Sequence, residues 1–286
     1  MNVVRQLFII TFLLCMTTSC EQQPNVLANL ASKGGDAAIY EDARKKVDDR
    51  EWDSAITMIT VDMSAAYQAR TDVKETLAGA YAGKCGLEFV NLATSLANSN
   101  SVAQLYGFFM TAMRNKIVVP TACDSAQAII ESFGNSAART ADQNLFLTII
   151  GMAKAGAWIR IRADQDLSGL GNGTVDAGFN VCDSTAFPDQ NVIQATVGLG
   201  LVLNNVTTIA SRLAGPTLND INTFNANCLA ALQILDPTVT TCDLTDVAFV
   251  TSKKALFRSL LNEGSTIGIG GCTTDTAFTS CPCDGM

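Results

Sequence analysis

The amino-acid sequence predicts an all-α protein: a helical array, stapled by disulfides, with one long loop near residues 164–187. Three observations lead there. Apolar residues recur at three- and four-residue steps along most of the chain, which puts them on one face of successive helices. Nothing alternates strand and helix as a doubly wound or barrel fold requires. Proline numbers only 6 in 286 residues, whereas all-β chains tend to be rich in turn residues. With 48% apolar and 16% charged residues, the chain can bury a sizeable core and is not a disordered one.

Composition also narrows the chemistry. There is no histidine, which removes the commonest general base, the commonest zinc ligand and every histidine-dependent triad. A net charge of −8 and a pI near 4.5 argue against nucleic acid as a partner, because neutralising phosphates needs a basic face.

Residues 1–19 read as a signal peptide. Arg5 supplies the positive start, Leu7 to Met16 the apolar centre, and Thr17-Thr18-Ser19-Cys20 a small polar exit. The apolar run is too short for an ordinary membrane-spanning helix, which needs about 20 residues. The exit resembles the lipobox of bacterial lipoproteins, in which a cysteine after a small residue is lipidated and becomes the new first residue. Thr18, Ser19 and Cys20 fit that pattern, while Thr17 stands where the family usually has leucine. The resemblance implies fatty acyl chains such as palmitate on Cys20 and a membrane anchor on the cell envelope. Glu21, where aspartate would signal inner-membrane retention, implies the outer membrane. The alternative is an ordinary cleaved leader whose Cys20 enters a disulfide. Residues 20–35 then form a tether.

From Asp36 the helical pattern begins. Ala37, Ile39, Tyr40, Ala43 and Val47 share one face; Asp48-Asp49-Arg50-Glu51 is a polar break; a second helix opens at Trp52 with Ala55, Ile56, Ile59 and Met63. This pair resembles a tetratricopeptide (TPR) repeat. Ala43 and Ala55 match the small positions where that family's paired helices touch, and Trp52 and Ile59 match its bulky ones. Leu77-Ala78 with Tyr81 repeats the first-helix signature, but Lys84-Cys85-Gly86 replaces the usual turn and Val90 occupies a small position. The resemblance implies a TPR-like α-solenoid region over 36–163, since repeats need neighbours to bury their faces.

Further helices are expected at Val102–Asn115, at Cys123–Phe133 with Thr121 or Asp124 as cap, and at Ala137–Ala163. Residues 188–286 add Val192–Leu213, Leu218–Leu235, Val247–Leu261 and a cysteine-bearing tail. The cluster Phe108-Phe109-Met110-Met113 reads as core packing, with a ligand groove as the alternative.

The loop after Ala163 places oxygen-bearing residues at steps one, three, five, nine and thirteen, with Gly169 at six for a sharp turn. A hard cation needs six to eight oxygens around one point. The segment resembles EF-hand, dockerin and thrombospondin type-3 calcium loops. The resemblance implies side-chain oxygens from Asp164, Asp166 and Ser168, the Leu170 carbonyl, Asn172 directly or through water, and Asp176 in place of the usual glutamate, because Val175 holds the twelfth position. A calcium ion there would be structural. The alternative is a solvated Asp/Gly/Asn turn.

Ten cysteines are present; Cys15 leaves with the leader and Cys20 takes lipid. Cys85, Cys123, Cys182, Cys228, Cys242, Cys272, Cys281 and Cys283 remain, an even set that an oxidising compartment turns into disulfides. Cys228 and Cys242 flank a helix end and the Asp236-Pro237 turn, which predicts a bridge between them, and the weakly apolar tail predicts at least one bridge to the body. The alternative is small buried thiols. Gly79 to Cys85 imitates a phosphate loop but is a residue short and ends in cysteine. The function expected is therefore non-enzymatic: an envelope lipoprotein, TPR-like, that binds or scaffolds a protein, peptide or small ligand. The alternatives are a periplasmic partner of a solute transporter and, less favoured, a carboxylate-based hydrolase.

Overall fold

A computed structural model of the chain describes residues 34–88, 92, 105–166, 168–209, 229–230, 232–233, 237–240, 242–264, 268–272 and 283. In chain order its helices are α1 (Asp36–Asp48), α2 (Trp52–Thr57, continued by a π turn over Met58–Asp62), α3 (Ala65–Gln68) and α4 (Thr71–Cys85). They continue as α5 (Leu105–Ala112), α6 (Pro120–Glu131), α7 (Ala141–Ala163), α8 (Asp189–Ile209), α9 (Val247–Ser252) and α10 (Lys254–Asn262). The protein is all-α, with an isolated parallel bridge between Glu263 and Cys272. The leader, Cys20 and most of the tether lie outside the described residues, as does nearly all of Leu218–Leu235.

Local chemistry sets several boundaries. Thr140 and Gln143 form a reciprocal capping box at 3.2 and 2.9 Å, so α7 starts at Ala141, four residues later than its apolar pattern. Helix α6 starts at Pro120, whose ring presets the helical φ; neither Thr121 nor Asp124 caps it. The expected Val247–Leu261 helix is two helices, broken at Lys253, with Asp246 capping the first by accepting from Ala248 and Phe249 N–H.

Helix α7 is the centre. Every residue from Gly151 to Arg160 is buried, because α4, α5, α6 and α8 all pack against it. Close approach depends on glycine. A Cβ at Gly151 would lie 2.6 Å from the Gly198 carbonyl oxygen on α8, and one at Gly156 would lie 2.1 Å from the Phe109 oxygen on α5. Helix α7 touches four others and α4 packs extensively on α6, so helix-on-helix packing about α7 builds the described core.

Two bridges have both ends described. Cys85–Cys123 joins α4 to α6 (Cα–Cα 5.2 Å), and Cys182–Cys283 joins the tail to the connector before α8 (5.1 Å). Their separations of 38 and 101 residues correspond to about 4 to 5 kcal/mol each in the chain-entropy view. Cys242 and Cys272 are disulfide-bonded as well; Cys228, the partner expected for Cys242, and Cys281 lie outside the described residues. Between α6 and α7 the buried Lys154 ammonium meets Asp124 at 3.0 Å and Gln127 at 2.7 Å, while Trp158 Nε1 donates to Asp124. Burial pushes that lysine's pKa down and Asp124 opposes the shift. Phe109, Met110 and Met113 are buried in the main cluster, so they are core.

Candidate functional site

The loop after α7 is closed by its own donors. Asp164 is fully buried; its Oδ1 accepts from Asn172 N–H and its Oδ2 from Gly173 N–H, both at 2.8 Å. Asp166 Oδ1 accepts from the Ser168 amide and hydroxyl at 2.8 and 2.6 Å, which holds its carboxyl below the usual carboxylate range. Asp176 Oδ2 accepts from Gln165 N–H at 2.8 Å, and Asn172 Oδ1 takes the amide and hydroxyl of Thr174. The Leu170 carbonyl accepts from Lys116 N–H at 3.1 Å. Gly169 makes the sharp turn with φ +70°, as its place in the sequence requires. The positive charge is protein: Arg160, 2% exposed, donates to the Gly169 carbonyl at 2.6 Å, and Asp164 and Asp166 partly offset the effect of its burial.

These oxygens are thus engaged by the chain's own donors. Among the described residues no three acidic or cysteine side chains stand close enough to share a metal. The oxygens that the sequence spacing would direct at a cation accept hydrogen bonds from the loop itself, mostly from backbone N–H groups. Asp164→Ala is expected to destabilise the fold by about 3 kcal/mol, since it strands the Asn172 and Gly173 N–H groups beside a fully buried side chain. Urea unfolding measures it, and the wild-type midpoint should not move with millimolar calcium. A calcium-dependent rise that Asp164→Ala abolishes would place a structural cation in the loop.

A second place has the shape of a binding site. Helix α4 contributes Gly79, Ala82 and Gly83, and α7 contributes Leu145, Phe146 and Ile149. The turn from α1 into α2 closes the third side with Val47, Arg50 and Trp52. The groove between them holds about 640 Å³. Its floor is open because of glycine. A Cβ at Gly79 would meet nothing within 4 Å, whereas one at Gly83 would strike the Trp52 ring at 2.6 Å. Trp52 therefore stands against α4 as a half-buried wall. The turn takes its shape from Arg50, which adopts φ +62° and donates to Glu88 at 3.1 Å across the mouth.

The chain matches no family model, no curated protein and no solved structure. The site is thus read from its own atoms. Its walls are apolar, its mouth is charged by Arg50, Glu88 and Asp142, and its lining contains no serine, cysteine or lysine beside a base. The residues of the discounted phosphate loop turn out to matter for a different reason: Gly79 and Gly83 are four apart on α4 and face one way. That spacing was the available sequence signal. Lys154, Arg160 and Arg258, the buried bases among the described residues, had none, because each looks like an ordinary helix-surface base. Glu51 and Asp53, two residues apart at the opening of α2, are taken by Lys46 and Lys84 in exposed ion pairs.

Proposed function

We propose that this chain is a non-enzymatic binding or scaffold lipoprotein of the bacterial envelope, of TPR-like type, whose groove between α4 and α7 receives the apolar part of a protein, peptide or small ligand. The groove carries the reading: an apolar trough with a glycine floor and a charged mouth suits the apolar part of a partner. A lipid on Cys20 would set the module on the outer membrane, as its leader's resemblance to a lipobox suggests. No described helix is long and apolar enough to cross a membrane, so an anchor of this kind would have to hold the protein there.

Two experiments test it. A photoreactive residue at Gly79, in the full chain in cells, should give a discrete cross-linked adduct. Labelling no greater than at a control site on the exposed face of α6 would remove the groove as the binding site. Cys20→Ala should release the protein from membranes and abolish palmitate incorporation. A variant that stays in the membrane fraction, together with unlabelled wild type, would end the lipoprotein reading.

A further inference from the structure

The two ends of the groove differ in charge. At the Leu87 end Arg50 is bonded to Glu88, which also lies 3.7 Å from the Lys116 ammonium, so the carboxylate at that end already faces two cations. At the other end Asp142 opens α7, exposed and with no ion pair among the described residues. Glu75, one turn before Gly79 on α4, accepts from Gln143 at 2.8 Å, and Gln143 adjoins Asp142 in the chain. Glu75 likewise has no ion pair among the described residues. The neighbouring bases are occupied: Arg139 by Asn144 and the Gly134 carbonyl, Arg70 by Asp72, and Arg44 by Glu41. The positive end of the α7 dipole offsets part of Asp142, but Gln143 and Thr140 already take up donors there.

We propose that the groove's occupant is a cationic amphipathic peptide segment, its apolar face on Trp52, Leu145, Phe146 and Ile149 and a lysine or arginine at Asp142 and Glu75. This rests on the groove being the binding site and adds the chemistry of what it binds. An amphipathic segment presents apolar anchors to a hydrophobic groove while its polar face stays in water. The complementary charge fixes its direction, and the chain's net charge of −8 steers basic segments toward it.

The test uses the full chain and two labelled amphipathic peptides with identical apolar residues, one with lysine and one with glutamate on the polar face. Fluorescence anisotropy reads binding, and Trp52 emission reports the site, since Trp158 is buried against Asp124. The lysine peptide should bind at least about tenfold tighter than the glutamate peptide. Gly79→Leu should abolish binding, and Asp142→Lys with Glu75→Lys should invert the preference. Circular dichroism checks folding, and the two surface substitutions serve alone if Gly79→Leu does not fold. Equal binding of both peptides, lost in Gly79→Leu, would overturn the charge assignment and leave the groove standing. Binding of the lysine peptide that survives Gly79→Leu would be general attraction to an acidic chain and would overturn the proposal. Binding of neither peptide would overturn the groove reading itself.

Discussion

Gly198→Val is expected to destabilise the protein by about 4 kcal/mol, a large part of the 5 to 15 kcal/mol that holds an ordinary domain together. A Cβ at Gly198 would come within 2.7 Å of both the Ala155 nitrogen and the Gly151 oxygen, and 3.0 Å from the Ala155 Cβ. These are mainly backbone atoms of the most buried helix, and they cannot turn aside as a flexible side chain can. Relief requires α7 and α8 to separate along their whole contact, the most extensive in the fold. Alanine sharpens the test. In an exposed helix Gly→Ala stabilises by about 1 kcal/mol, through backbone entropy. That gain is expected at Gly79, where the Cβ meets open space, and reversed at Gly198 and Gly156. Urea midpoints of the three alanine variants decide it; a stabilising Gly198→Ala would show that the two helices do not meet at this glycine.

Arg258→Ala should destabilise by about 3 to 5 kcal/mol. The guanidinium is 4% exposed. Its Nη1 donates to the Val181 and Phe187 carbonyls, both at 2.6 Å, and its Nη2 to Asp189 at 2.8 Å. One side chain thus ties the connector before α8 to α10. Removing it strands two acceptors and loosens a segment otherwise held by the Cys182–Cys283 bridge. Lysine should not rescue it, because a single ammonium cannot span the fork of acceptors. Combined with Cys182→Ala, the effect should exceed the sum of the parts, since both devices hold the same segment.

The same contact has a pH signature. Hydrogen bonds from Lys254 and Arg258 hold the Asp189 carboxyl below its ordinary value. Its contribution is therefore present above the unfolded carboxylate pKa of about 3.9 and is lost as pH falls through the lower folded value. Acid unfolding curves should show that loss in the wild type and a smaller one in Arg258→Ala. Identical acid dependence in both would remove Asp189 from the linkage.

Helix content was legible in the chain because each helix obeys local rules. The α1 pattern from Ala37 to Val47, the break at Asp48–Glu51 and the opening of α2 at Trp52 all follow from period and polarity alone. So did the glycine turn at Gly169, whose φ is positive as its place required. The exact start of α7 depended on a capping box that the sequence displays as Thr140-Ala141-Asp142-Gln143, three residues inside the expected Ala137–Ala163 helix.

What lay beyond the sequence were the relations between distant segments. The oxygen spacing from Asp164 to Asp176 does not say which donors reach those oxygens, and only the folded loop brings Arg160 to Gly169 and the Asn172 and Gly173 N–H groups to Asp164. The order of helices does not say which of them touch, and only the tertiary structure brings α7 against α5 and α8 at glycine positions. The groove needs Val47 and Trp52 to meet Phe146 about a hundred residues later, which no local period encodes. Backbone propensity acts over a few residues and is written in the sequence; charge pairing and close packing act through space, and they were settled by which surfaces the helices finally shared.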